Sequence, residues 1–400
     1  MNRKILALLF GACALAFCAP ASAGNFQVVH TFKGGHDGKD PRGALTPDGQ
    51  GGFYGTSRAG GNKTCNGGGC GTVFHIAPDG SKTTVYAFKG GNDGMAPYGA
   101  VTVGPDGALY GTTGSGGGSP NCSSGCGTAY RMTVAGQEAV IHAFSGYDGE
   151  APVGTLTFDT KGNLYGTTFD GGDSDIGSGT VFKISPKGKF TLLHTFEYAS
   201  GDGEHPETNV VLDKAGNIYG AAPNGGAYGG GAVFKIDANG VESVLYSFED
   251  PTGGAGPYSD LLVDKRGNLY GTTRGDGDRG LGTVFKLTPA GVMTVLYSFA
   301  GVSGDDLFYP VGGVIADDTG NLYGVTDEYS DISYGGVYRI APDGTETILY
   351  RFKGGKDGID PSGTLAADGL GNIYGTTTHG GSTNQVCGSY GCGTVFRLTP

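Results

Sequence analysis

A short phrase, Leu, Ile or Phe followed by Tyr-Gly, recurs seven times in this chain, centred on Tyr54, Tyr110, Tyr165, Tyr219, Tyr270, Tyr323 and Tyr374. The intervals run from 51 to 56 residues. Each copy sits in one frame: a Pro-led segment before it, then a Gly-Thr-Val-Phe-like segment, then a (Tyr/His)-x-Phe segment. A period near 50 with several strand-like runs marks a radial β-array, in which each module buries its faces against its neighbours. That period overrides the two or three domains that 400 residues would ordinarily suggest.

Four runs make up the third module: Pro152 to Phe158, Asn163 to Thr168, Gly179 to Ile184 and Phe190 to Phe196. Val, Thr, Tyr and Phe fill the runs, and Gly, Asp, Asn and Pro separate them. Gly is 82 of 400 residues, but at fixed offsets, which reads as turns and close backbone approach rather than disorder. The Gly of Tyr-Gly is expected to admit the next blade. Tight Asp-x-x-Gly-Asn links make consecutive strands antiparallel neighbours. The sequence therefore predicts an all-β, seven-bladed β-propeller with four antiparallel strands per blade. The blades fall at about 41–88, 97–144, 152–196, 206–248, 257–299, 310–352 and 361–398. Residues 26–32 form a lone fourth-strand run, expected to pair with the C-terminal blade and close the ring.

Arg3 and Lys4, the apolar run Ile5 to Phe17 and Ala21-Ser22-Ala23 read as a signal peptide over 1–23, leaving residues 24–400 as one exported propeller. The expected location is the periplasm, the cell surface or the medium. No apolar stretch approaches the 18 or so residues of a membrane span. The motifs Gly162-Asn-Leu-Tyr-Gly-Thr-Thr168, Gly179-Thr-Val-Phe-Lys-Ile184 and Leu296-Tyr-Ser-Phe299 resemble those of the GloVer-type tandem repeat proteins of bacterial cell surfaces. The resemblance spans 26–400 and implies an exported, propeller-like protein of undefined biochemical role. Relatives often carry a C-terminal anchor; this chain ends within a blade, so a freely released form is expected.

The 38 acidic residues against 26 basic ones give a net charge of −12, which repels phosphate backbones and argues against nucleic-acid binding. Six cysteines pair locally, Cys65 with Cys70, Cys122 with Cys126 and Cys387 with Cys392, in loops of neighbouring blades one, two and seven. In an exported chain these read as disulfides, with a Cys₄ zinc site as the competing reading. Acidic loops occupy the opposite arc, with Asp276 and Asp278 in blade five and Asp327, Glu328 and Asp331 in blade six. Asp170, Asp173 and Asp175 in blade three form the best metal candidate, with Ca²⁺ the ion that suits oxygen ligands. His36 and His379 lie on adjoining links and are a candidate ligand or acid–base pair. The recurring basic residue after the third-strand aromatic (His75, Arg131, Lys183, Lys235, Lys286, Arg339, Arg397) reads as a repeated pairing position.

No catalytic signature such as Gly-x-Ser-x-Gly or His-Glu-x-x-His is present. The expected function is a monomeric binding module that engages a protein or glycan through its loop-rich face, with Tyr98, Tyr258, Tyr309, Tyr329 and Tyr334 available to stack on sugars. The alternative is an exported hydrolase or lyase with acids at the funnel.

Overall fold

The computed structural model describes residues 25–65, 68–172, 177–198, 201–249, 253–277, 279–301, 307–327 and 334–400. Seven four-stranded antiparallel sheets form the blades, six of them with their strands in chain order from the axis outward. In blade 3 these are Thr157–Phe158, Leu164–Thr168, Gly177–Ile184 and Phe190–Glu197. Blade 7 is composite. Ile359–Ala367, Ile373–His379 and Thr394–Thr399 are completed by Asn25–Thr31, which runs antiparallel to Thr394–Thr399. The fold is a seven-bladed β-propeller.

Each residue of the recurring phrase has an identifiable role. The Tyr hydroxyl donates to the Asp of the preceding turn, Tyr165 to Asp159 at 3.1 Å and Tyr323 to Asp317 at 3.0 Å. The same Asp159 accepts the backbone N–H groups of Lys161 and Asn163 and so closes the turn. Burial alone would raise this carboxyl, but the donors, Asn163 foremost, outweigh it and hold Asp159 below the usual range. The Gly faces its own sheet. Gly55 is the cross-strand partner of Phe74, and Gly166 of Phe182, and a Cβ on either would collide with that ring. The expectation that this Gly admits the next blade is therefore corrected: an aromatic ring of the same blade fills the space.

The two residues after Tyr-Gly work in opposite directions. The first reaches the next blade, Thr56 Oγ1 donating to the carbonyl of Gly99 at 3.0 Å and Thr167 to that of Thr208 at 2.9 Å. The second bonds within the blade, as in Thr113–Thr128 and Thr168–Thr180, both at 2.8 Å. Close approach between blades falls to another glycine, the one opening Gly-Thr-Val-Phe. Gly71 and Gly127 hold φ of 94° and 96°, and a Cβ there would strike Pro97 and Pro152 of the following blade. These sideways bonds also explain why the Pro-led run is only partly a strand. In blade 3 just Thr157–Phe158 pair within the sheet, because the carbonyls before them already serve the preceding blade and Pro152 has no N–H to give.

The core lies in the seams. The Phe of (Tyr/His)-x-Phe is fully buried in six blades and nearly so in the seventh, and meets the next blade's third-strand ring edge-on. Phe32–Phe74, Phe88–Tyr130 and Phe144–Phe182 have centroids 5.2, 5.2 and 5.1 Å apart. Such pairs add about 0.5–1.5 kcal/mol each beyond area burial. Outside them, the first residue of the fourth strand packs against the preceding blade: Phe26 lies flat on Tyr350 at 3.7 Å and Phe190 on His142 at 3.9 Å.

Between blades 1 and 2 that rim position holds Glu138, whose Oε1 is buried without a donor. Burial first, then the charge of Asp93, push Glu138 up to about 7 from 4.5. A carboxyl raised in the folded state stabilises fully below its unfolded value, and the contribution is lost as pH rises through about 7. The unfolding free energy is accordingly expected to fall between pH 5 and 8, by about 1 kcal/mol once solvent screening of this half-buried group is discounted. Glu138→Gln should flatten that profile; a Gln variant with the wild-type slope refutes the assignment.

Candidate functional site

Strand alternation puts the tight turns on one face and the longer loops and inter-blade links on the other. On the turn face, hollows of 480 and 540 Å³ lie between neighbouring blades, lined by Phe158, Lys161, Tyr165, Asp213, Tyr110 and Arg131. Several of their charges are committed to their own modules. Arg131 Nη2 donates to Asp106 at 2.7 Å, and Lys183 and Lys235 sit over Tyr165 and Tyr219 at 5.3 and 5.8 Å. The recurring basic position is thus a pairing position. The linker carboxylates are equally engaged: Asp93 accepts from the Lys89 N–H and the Tyr86 hydroxyl, and Asp357 from the Lys353 N–H and the Tyr350 hydroxyl. They close turns.

The loop face is built differently. The residue before each inner-strand Pro is left-handed in every blade: Asp40, Ala96, Ala151, His205, Gly256, Tyr309 and Asp360 have φ between 52° and 63°. This conformation is uncommon for residues other than Gly and is imposed by bonding on both sides. The Ala96 N–H donates to the Cys70 carbonyl, and the Ala96 carbonyl accepts from Gly114. The bend aims the residues flanking each Pro at the mouth of the central funnel.

Charges from most of the blades meet there. Asp40 accepts from Arg42 Nε at 2.8 Å and from Arg58 Nε. His379 Nδ1 lies 2.7 Å from Asp360, His205 Nδ1 3.1 Å from Asp170, and Arg274 Nη2 3.3 Å from Asp327. Burial pushes Asp327 up to about 6; Arg274 and Arg42 pull it down and Asp360 pushes it further. Burial also raises Glu207, against the pull of His205 and Arg274. Blades 5, 6, 7 and 1 are thus electrostatically coupled across one mouth. Tyr258 is 40% exposed beside a 450 Å³ hollow that Arg274 and Tyr309 also line.

Beneath the mouth the axis is crossed by a bridge. Asp260 of blade 5 accepts the Asn209 N–H of blade 4 at 2.9 Å and the Thr364 hydroxyl of blade 7 at 2.9 Å. Thr364 Oγ1 in turn accepts the Gly313 N–H of blade 6 at 2.9 Å. Burial raises Asp260, with the Asn209 and Thr364 donors opposing.

The structure brings some expected residues together and separates others. Disulfides join Cys65–Cys70, Cys122–Cys126 and Cys387–Cys392. Asp170 is at the mouth beside His205, while Asp173 and Asp175 lie outside the described residues, as do Asp278, Glu328, Tyr329 and Asp331. Among the described residues no group of three or more His, Cys, Asp and Glu side chains could hold a metal ion. His36 and His379 are engaged separately: His379 pairs with Asp360, whereas His36 is exposed and its carbonyl accepts from Thr84. Tyr98 carries two guanidinium groups over its ring, and Tyr334 packs against the seam of blades 6 and 7. Arg42, Arg58, Glu207 and Asp360 escape notice in the sequence. The position after the inner-strand Pro varies freely (Arg42, Tyr98, Val153, Glu207, Tyr258, Val311, Ser362) within an otherwise repeated frame, and that contrast was the available signal.

No curated protein sequence matches this chain. Among solved structures it is similar to one described as the extracellular domain of a hybrid two-component system from B. thetaiotaomicron, at 13% identity and a TM-score of 0.57 over 92% of this chain and 39% of that one. That likeness is one of fold. A gluconolactonase from Xanthomonas campestris (14% identity, 68% of this chain and 78% of that one, TM-score 0.40) is more loosely similar. So is a luciferin-regenerating enzyme (12%, 94% and 95%, TM-score 0.46). The Gloeobacter/Verrucomicrobia repeat matches residues 119–310. With a module of the same kind repeated around the whole ring, the propeller fits a Gloeobacter/Verrucomicrobia-type repeat family.

Proposed function

We propose that this protein is an exported binding module whose ligand, a protein or a glycan, docks at the funnel mouth of the loop face. The observation that carries the reading is the contrast between the faces. Turn-face pairs such as Arg131–Asp106 and Lys183–Tyr165 lie within one module, whereas Arg42, Glu207, Arg274, Asp327 and Asp360 come from five blades and converge on one mouth. Convergent polar groups in a hollow flanked by aromatic rings are what a ligand site requires. The three disulfides suit an oxidising compartment, and N-terminal sequencing of the exported protein is expected to find Gly24 as the first residue, with retained Met1 refuting export by cleavage.

Arraying the whole protein against glycans and surface proteins, followed by charge reversal, tests the site. Binding should be lost in Glu207→Lys and Arg274→Glu, by tenfold or more, and kept in the turn-face controls Lys161→Glu and Lys214→Glu. The opposite pattern overturns the reading. The raised carboxyl of Asp327 favours a second reading, a hydrolase or lyase in which Asp327 is the proton donor. Turnover abolished by Asp327→Asn would establish it.

A further inference from the structure

The sector of the funnel between blades 1 and 2 is the part most fully built for a particular chemical group. Asp40 is held left-handed at φ 60°, is 8% exposed, and has its N–H fixed on the carbonyl of Cys392. From there each carboxylate oxygen takes one arginine, Oδ1 from Arg42 at 2.8 Å and Oδ2 from Arg58, and both bonds use Nε. Gripped by the carboxylate through Nε rather than in a two-point fork, Arg42 keeps its terminal N–H edge available and Arg58 keeps Nη2. Arg58 Nη1 donates to the Tyr98 hydroxyl at 3.3 Å, and the Arg42 and Arg58 guanidinium carbons lie 6.0 and 5.6 Å from the centre of the Tyr98 ring. The guanidinium groups of Arg42 and Arg58 are therefore oriented before any ligand arrives. The Arg42 and Arg58 side chains are 42% and 37% exposed, against 11% for Asp40, whose single charge faces two guanidiniums, while Asp327, which also faces Arg42, is pushed up by burial.

We infer that Arg42 and Arg58 form a carboxylate-binding subsite of the funnel, and that the group they receive belongs to an acidic sugar. The inference rests on the binding-module reading above. A peptide is the less suitable carrier of the carboxylate, because strand addition needs a free backbone edge. Here the inner-strand carbonyls of Gly99, Gly154 and Thr208 are already taken by Thr56, Thr112 and Thr167 of neighbouring blades. A sugar needs ring faces and scattered polar atoms instead, and Tyr258 and Tyr309 flank the same mouth.

Calorimetric titration of the full chain with trigalacturonate and with its methyl ester tests this, at about 0.1 M salt so that the chain's net charge is screened beyond about 10 Å. The acid is expected to bind at least tenfold more tightly than the ester. Arg42→Gln and Arg58→Gln should each remove most of that difference, with Arg58→Lys restoring part of it, and melting of each variant verifies folding. Affinity for the acid should also rise from pH 7.5 to 5.5. Asp327, faced by Arg274, Asp360 and Arg42, sheds its charge as pH falls through about 6. Equal affinity for acid and ester, no binding of either, or an acid preference unmoved by Arg42→Gln overturns the inference. So does tighter binding of a tripeptide carboxylate. If neutral glycans bind and respond to Glu207→Lys while the acid-to-ester ratio stays at one, the subsite falls and the binding module stands.

Discussion

Removing residues 25–33 is expected to abolish the single cooperative unfolding transition and to lower stability by about 5 kcal/mol or more. The estimate combines two lost aromatic anchors at about 3 kcal/mol each with a lost strand ladder. Phe26 stacks on Tyr350 at 3.7 Å and also meets Phe352 and Phe396. Phe32 is fully buried against Phe74. The ladder from Asn25 to Thr31 covers the edge of Thr394–Thr399, which would otherwise face solvent as an unpaired strand. Calorimetry of the truncated chain should show a broad, early transition, and a synthetic peptide of residues 25–33 added in excess should restore the original one. An unaltered melting profile would contradict the closure.

The second large effect lies on the axis. Asp260→Ala leaves the Asn209 N–H and the Thr364 hydroxyl without their acceptor near the axis, and is expected to cost roughly 3 kcal/mol. Asp260→Asn should behave in the opposite way. Because burial raises Asp260 in the folded state, its stabilisation is complete below the unfolded carboxyl range and is lost as pH rises through the folded value. The Asn variant keeps an acceptor but carries no charge, so it should match wild type near pH 4 and exceed it at pH 8. Chemical unfolding at both values checks this, and an Asn variant weaker than wild type at pH 8 rules out the charge penalty.

What the sequence reveals here is whatever the repeat averages. Seven copies make the strand runs, the split blade and the turn carboxylates visible without coordinates, and the cysteine pairs follow from four- and five-residue separations. The role of the Tyr-Gly glycine was misread because one glycine looks like another in a linear pattern. Gly55 and Gly71 serve different neighbours, an aromatic ring of the same sheet and a proline of the next. The funnel mouth was hidden for a geometrical reason. Arg42 and Asp327 are 285 positions apart, and only closure of the ring brings blades 6 and 1 within electrostatic reach.

The bridged sulfurs have an implication for where such a module can be made. Under the first glycine of five of the inter-blade links is a small apolar niche. Cys65, Cys122 and Cys392 occupy it beneath Gly90, Gly146 and Gly34, while Leu281 and Tyr334 occupy it beneath Gly301 and Gly354. Sulfur and hydrocarbon are thus interchangeable plugs for one niche. A version with leucine-like plugs throughout needs no oxidant to mature, so the same scaffold is open to thiol-rich cytoplasm.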